Sequence, residues 1–292
     1  MRVRLRGRTL DLERGRPLIM GILNAGPDSF SDPGERPDAA ALADRGTALA
    51  EQGAQIVDVG GQSGRTDRPA VSEDEEARRI APVVERLAGS GLDVSVDTWR
   101  PGPARAALEA GASMVNDVSG LADPALADLC AQHGAALVIT HTTVAPKRKT
   151  FPRYGDVVAD VGAFLEARGE EALARGVPRE AQVLDPGLDL AKTPAQSLEI
   201  LQRLPELASL GRPLLLAISR KDFVGALTGR EPSARDAGTL GAIEPALECD
   251  ATILRVHDAA GARDFLAVRA ALRGEAPAPG PLETGLRTEA LA

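Results

Sequence analysis

Apolar residues along the chain fall into two kinds of segment that alternate. Short continuous runs recur at 18–23, 55–60, 92–97, 113–116, 136–141, 182–185, 213–219 and 251–257. A run with little polar alternation is the signature of a strand buried on both faces, as in a parallel sheet. Between the runs, apolar positions recur at helical spacing over 39–52, 73–87, 103–110, 124–133, 157–175, 194–207, 233–248 and 259–272. Several of these segments open with a Pro in the first turn or an Asp or Ser cap, and Gly53, Gly111, Gly134 and Gly176 each stand before the next run. Eight strands alternating with eight helices predict an α/β fold, a (β/α)8 TIM barrel in a single domain over 18–273. A doubly wound open sheet with extra strands is the competing arrangement. Ahead of the barrel, Val3-Arg4-Leu5 alternates, with Gly7 and Gly15 as turn residues, which predicts a short hairpin, residues 1–17, capping the N-terminal face. From Gly274 onward a Pro-rich and then mixed sequence predicts a flexible C-terminal tail, 274–292.

Composition narrows the classes. The chain has 292 residues, 43% hydrophobic but only 2% aromatic, so a large core must be filled by Ala, Val, Leu and Ile. A net charge of −8 at pH 7 argues against a nucleic-acid partner, because phosphate backbones call for a basic footprint. No run approaches the roughly 20 apolar residues of a membrane span. Residues 1–10 carry charges with no apolar stretch behind them, so a secretory signal is not expected either. Cys130 and Cys249 make no CxxC pair and read as reduced core residues of a cytoplasmic protein.

The candidate chemistry lies where the runs end. In a barrel the loops at the C-terminal ends of the strands converge on one mouth. Those ends deliver Asn24, Asp58, Asp97, Asn116 with Asp117, His141, Asp185, Ser219-Arg220-Lys221, and Arg255 with His257. Each has a plainer reading by itself: Asp117 as a cap, Asp185 as the opening of a turn before Pro186-Gly187, either histidine as a hydrogen-bonded core residue. Lys147-Arg148-Lys149 reads as a solvated loop. Eight ends that all carry polar groups are harder to explain structurally, since unpaired burial is costly. Two carboxylates with an Asn suit a neutral heterocycle edged with amino and imino donors, and Arg with Asn suits a phosphate. HExxH, GxSxG, GxxxxGK[ST] and GxGxxG are all missing.

Taken in order, these residues resemble the dihydropteroate synthases of the pterin-binding enzyme family. The resemblance runs from about residue 16 to about residue 273. It is carried by Gly21-Ile-Leu-Asn-Ala-Gly-Pro-Asp-Ser-Phe-Ser-Asp32, Asp58-Val-Gly-Gly-Gln-Ser-Gly-Arg65, Ser95-Val-Asp-Thr98, Asn116-Asp-Val-Ser-Gly120, Leu184-Asp-Pro-Gly187, Ser219-Arg-Lys221 and Arg255-Val-His-Asp258. It implies condensation of 6-hydroxymethyl-7,8-dihydropterin pyrophosphate with p-aminobenzoate to 7,8-dihydropteroate and pyrophosphate, in folate biosynthesis. The matching positions imply pterin binding by Asp97, Asn116, Asp185 and Lys221. Diphosphate binding falls to Asn24, Arg65, Arg255 and His257, with Asn24 also meeting a Mg2+ cofactor. Of these, Asn24, Lys221, Arg255 and His257 would serve catalysis. A homodimer is implied by the same analogy.

The departures from the family pattern cluster. Asn-Val-Thr-Pro becomes Asn24-Ala-Gly-Pro27, Glu-Ser-Thr-Arg-Pro-Gly becomes Gln62-Ser-Gly-Arg-Thr-Asp67, and Gly-Phe-Gly-Lys-Thr becomes Asp189-Leu-Ala-Lys-Thr193. The amine-substrate pocket implied by the resemblance is Gly64, Arg65, Thr66, Leu190 and Ser219, so the substitutions fall on the amine side. Residues 141–156 and Trp99 resemble divergent actinobacterial paralogues of the family. Three readings stay open: a synthase, a paralogue using another amine, and a non-catalytic pterin-binding protein. A folate-dependent methyltransferase on a similar barrel fits the first-loop and Arg-Val-His matches less well.

Overall fold

In the computed structural model the described residues are 1–26, 38–62, 70–277 and 280. Two short strands, β1 (Arg2–Leu5) and β2 (Arg8–Asp11), pair antiparallel as a hairpin. Eight parallel strands follow: β3 (Leu18–Asn24), β4 (Ile56–Gly60), β5 (Asp93–Asp97), β6 (Met114–Asp117), β7 (Ala136–Thr140), β8 (Gln182–Asp185), β9 (Leu214–Leu216) and β10 (Thr252–Val256). Each pairs with the next in sequence, and β10 pairs with β3. The sheet is therefore a closed barrel, and the open-sheet alternative is excluded.

Helices connect the strands on the outside. They are α1 (Ala39–Glu51), α2 (Glu73–Gly89), α3 (Pro101–Glu109), α4 (Ala125–His133), α5 (Val157–Ala174), α6 (Pro194–Gln202) and α7 (Leu204–Ala208). Then come α8 (Asp222–Thr228), α9 (Asp236–Gly241), α10 (Glu244–Leu247) and α11 (Ala259–Leu272). Two expected helices are broken. The segment 194–207 divides at Arg203 because Pro205 is accommodated only in a new first turn. The segment 233–248 becomes a 3-10 turn plus α9 and α10, with Pro232 and Pro245 each opening a piece. Helix α8 was not expected; it fills part of the stretch between the run ending at 219 and the helix expected from 233.

The core has two compartments. The larger lies between barrel and helices and takes the outward side chains, such as Val57, Val94, Val115, Leu137 and Leu184. The smaller lies inside the barrel, where Met20, Ile56, Met114, Val138, Val183, Leu215 and Ile253 meet Val3, Leu5 and Leu12 from the N-terminal segment. Those three residues are 0–2% exposed, so the hairpin region closes the barrel floor with apolar side chains. No helix of the described residues is long and apolar enough to cross a membrane.

Candidate active site

The barrel interior changes character within two residues. Strand side chains alternate with period two, so the inward residues above the apolar floor are Asp58, Asn116, Thr140, Asp185, Ala217 and Arg255. On β5 the outward Val94 and Val96 leave Ser95 and Asp97 facing in. One further step brings Asn24, Ser219 and His257 to the rim. Asn24, Asp97, Asn116, Asp185, Leu190, Ser219, Lys221, Arg255 and His257 all line one cavity of about 1270 Å³. Gly64, Arg65 and Thr66 lie outside the described residues, as does most of the expected tail.

Two members of the sequence ring do not belong to it. Asp117 and His141 carry the opposite parity, two positions on from the outward Val115 and Ile139. Asp117 closes the turn after β6, accepting from Ser119 N at 2.8 Å, Ser119 Oγ at 2.6 Å and Leu121 N at 2.7 Å. His141 is 1% exposed and packs edge-on against Phe164 at 4.9 Å, a core histidine held neutral by burial and by nearby Lys192. The segment 147–149 is a loop with Arg148 and Lys149 exposed, as expected, and it also borders the site. Lys147 and Arg148 line the cavity, and Lys149 pairs with Asp222 at 2.9 Å.

Arg255 organises the interior. Its Nε donates to Asp58 Oδ2 and its Nη2 to Asp97 Oδ2, both at 2.6 Å, and Asn116 Nδ2 donates to the same Asp58 oxygen at 3.1 Å. Asp58 thus anchors both a cation and an amide, a role that its place in the ring did not reveal. Asn116 Oδ1 is buried with no protein hydrogen-bond partner, an acceptor left unsatisfied. Burial holds Asp97 above the ordinary carboxylate range, with Asp58 and Asp117 reinforcing and Arg255 opposing. Asp185 is likewise raised by burial, against the Gly187 N–H that its Oδ1 accepts at 2.7 Å.

At the rim, His257 Nδ1 lies 2.8 Å from Ser219 Oγ, while that oxygen accepts from His257 N at 3.3 Å. Ser219 Oγ and Nδ1 share the shorter hydrogen bond, and the ring tautomer sets which of them donates. Burial, then Arg220 and Arg255, push the imidazole down to about 4. In the tautomer that accepts from Ser219 at Nδ1, the neutral ring carries its proton on Nε2, a donor for an anion. Lys221 Nζ donates to Leu188 O at 2.9 Å. Among the described residues lining the cavity, seven are Lys or Arg and two, Asp97 and Asp185, are acidic. That balance, in a chain of net charge −8, favours an anionic ligand.

The loop after β8 is held in an unusual shape. Gly187 has φ 67°, and a Cβ there would collide with the His141 carbonyl oxygen. Asp189 and Ala191 also have positive φ, 64° and 53°, where non-glycine residues are strained. Gly187→Ala is expected to cost about 2–3 kcal/mol from strain and overlap. A urea midpoint within error of wild type would show that the loop yields instead.

Lys192 was missed by sequence reasoning. It is 1% exposed and the largest fully buried side chain, so an interior cation in a loop segment gave no periodic signal to read. Trp99, the single tryptophan of the chain, lines the cavity as well.

Known proteins place these features. The profile described as pterin binding enzyme matches residues 20–257. Dihydropteroate synthase of Mycobacterium leprae is 42% identical over 259 residues, 86% of this chain and 91% of that protein. A protein of Mycobacterium tuberculosis named inactive dihydropteroate synthase 2 is 39% identical over 271 residues, 90% of this chain and 85% of its own. The structure of Xanthomonas albilineans dihydropteroate synthase with 4-aminobenzoic acid superposes with a TM-score of 0.86 at 42% identity, covering 94% of this chain and 99% of that one. A profile match over most of the barrel, relatives at about 40% identity and the same closed architecture together show that the chain belongs to the pterin binding enzyme family.

Proposed function

We propose that the chain is a dihydropteroate synthase, a transferase that joins 6-hydroxymethyl-7,8-dihydropterin pyrophosphate to p-aminobenzoate and releases pyrophosphate. The observation that carries this reading is one cavity in which Asp97, Asn116 and Asp185 share walls with Lys221, Arg255 and His257. Carboxylates and the unpartnered Asn116 oxygen accept from the amino and ring N–H groups of a pterin. Lys221, Arg255 and the His257 imidazole face the other end, where negative charge grows on the departing diphosphate. With that charge stabilised, the C–O bond to pyrophosphate breaks, the amine nitrogen bonds to the freed methylene carbon, and that nitrogen gives up one proton to the departing pyrophosphate or to water. No side chain has to act as nucleophile.

Asn24 fits Mg2+ in a limited way. Among the described residues no cluster of His, Cys, Asp or Glu could hold a metal. A single amide oxygen beside Arg255 and His257 suits an ion held chiefly by substrate phosphates. When bound, Mg2+ would neutralise diphosphate charge. Ser219 and Leu190 are assigned to the amine side, with Gly64, Arg65 and Thr66 added from the sequence match. The apolar groove between α6, α8 and α9, where Leu227 is 67% exposed, supports a homodimer seated there. The buried free thiols of Cys130 and Cys249 support a cytoplasmic setting.

A second reading has its own support, the relative named inactive. Pyrophosphate release from the pterin substrate, measured with p-aminobenzoate and then a panel of other amines, separates the readings. Release with p-aminobenzoate is expected. Release with a different amine alone would make the chain a synthase of another product, and tight pterin binding with no release would make it a binding protein.

A further inference from the structure

Nothing in the reaction above uses Lys192, although the fold buries its charge beside the site. Its Nζ lies 2.8 Å from His141 Nδ1, 3.0 Å from Gly187 O, 3.0 Å from Leu190 O and 3.3 Å from His141 O. Four acceptors surround a group with three N–H donors when charged, so the site is built for the ammonium. Its acceptors come from two places. Two belong to His141 at the end of β7, and two are carbonyls of the loop after β8. That loop holds Asp189 and Ala191 in the left-handed region, and it carries Leu190 to the cavity wall. Tyr154, from the segment after β7, adds a weaker tie by donating to Ala191 O at 3.1 Å.

We propose that Lys192 is a positioning residue for the condensation: its ammonium clamps the strained loop after β8 onto the end of β7 and so fixes Leu190 as a wall of the amine subsite. The idea rests on the synthase reading for its kinetic consequence but not for its structural one. The charged or titratable groups facing the ammonium are His141 from β7, Asp185 from β8, Asp189 from the loop and Lys221 from the turn before α8. Burial lowers Lys192 to about 7, with Lys221 reinforcing and the two carboxylates opposing. A deprotonated amine would lose one donor and turn a lone pair toward carbonyl oxygens. The clamp therefore weakens at alkaline pH.

Lys192→Met keeps the length and removes the charge. Hydrogen–deuterium exchange of full-length protein, without substrate, should accelerate at least tenfold at Asp189 and Leu190, whose amides are bonded to Ser197 Oγ and Gly187 O. Exchange in β4 should stay unchanged. In turnover assays KM for p-aminobenzoate should rise about tenfold. Pterin affinity, read from Trp99 fluorescence, should weaken less than the amine KM rises, because Asp97 and Asn116 do not touch this loop, although Asp185 and Lys221 each bond to it once. In the wild type the amine KM should climb between pH 7 and 9.5, and in the variant that limb should be gone. Unchanged exchange at residues 187–191, or an alkaline limb that persists in Lys192→Met, overturns the proposal. Should the variant fail to fold, a flat wild-type profile overturns it and a rising one supports it. If the wild type releases no pyrophosphate with any amine, the synthase reading fails while the exchange measurement still decides the clamp.

Discussion

Replacing Arg255 with Met should cut kcat/KM by about 1,000-fold, the upper range for removing a group that stabilises transition-state charge, and should also weaken the fold. The guanidinium lies between Asp58 and Asp97 at 2.6 Å from each, inside the barrel. Without it two buried carboxylates face each other with no cation between them. Breaking a buried pair by removing one partner costs about 3–5 kcal/mol, so a substantial drop in melting temperature is expected at neutral pH. The loss must depend on pH in a particular direction. Burial outweighs Arg255 and pushes the Asp97 carboxyl up to about 6, above its ordinary value. A carboxyl whose folded value is raised binds more protons in the native state, so its contribution to stability falls as pH rises from about 4 to about 6. Removing Arg255 raises that value further and carries the decline to higher pH. Melting curves at pH 5 and pH 8 should show a small gap between variant and wild type at the lower pH and a large one at the higher. A gap independent of pH would mean that the interior relaxes and lets water reach the carboxylates.

Asp185→Asn should separate binding from stability. One carboxylate oxygen takes the Gly187 N–H at 2.7 Å, and an amide oxygen can take it equally well, so the change in stability should stay within about 1 kcal/mol. The other oxygen faces the cavity, with Thr140 Oγ1 at 3.4 Å. There an NH2 group would meet the N–H edge of a pterin, donor against donor, in a site closed to water. Loss of a charged acceptor together with an unpaired buried donor corresponds to about 3–4 kcal/mol, or roughly 100- to 1,000-fold in pterin Kd. Quenching of Trp99 by a dihydropterin gives that constant directly, since Trp99 lines the same cavity. A Kd within threefold of wild type would remove Asp185 from the pterin site.

Much of this architecture was legible in the sequence because parallel barrel strands announce themselves as uninterrupted apolar runs. The polar ring was legible too, but its membership was decided by parity, which the runs themselves encode. Counting in twos back from Asp117 reaches Val115, and from His141 reaches Ile139, both packed outward against helices. The same count from Asp58, Asn116, Asp185 and Arg255 reaches Ile56, Met114, Val183 and Ile253, all inside. Lys192 was not legible, because a buried cation satisfied by carbonyls is specified by a loop's backbone and not by neighbouring side-chain types. Arg148 was not legible for a related reason. A basic run in a loop reads as solvated, and Arg148 is exposed, but the sequence does not show that the loop lies along the cavity. The breaks at Arg203 and around Pro245 could have been read, since proline inside a helical pattern ends or restarts it.

The sealed floor of the barrel has a kinetic meaning. Val3, Leu5 and Leu12 stop the interior from below, leaving the pocket a blind well whose traffic passes through the mouth between the strand ends. A ligand held at Asn116 and Asp185, both buried inside the barrel, has to descend before anything occupies the rim near Leu190 and Ser219. With the pterin at those residues, as proposed, entry should be ordered, pterin first and amine second. An amine that arrives early does not compete for a second door; it corks the first one, and excess amine should inhibit by slowing the pterin's approach.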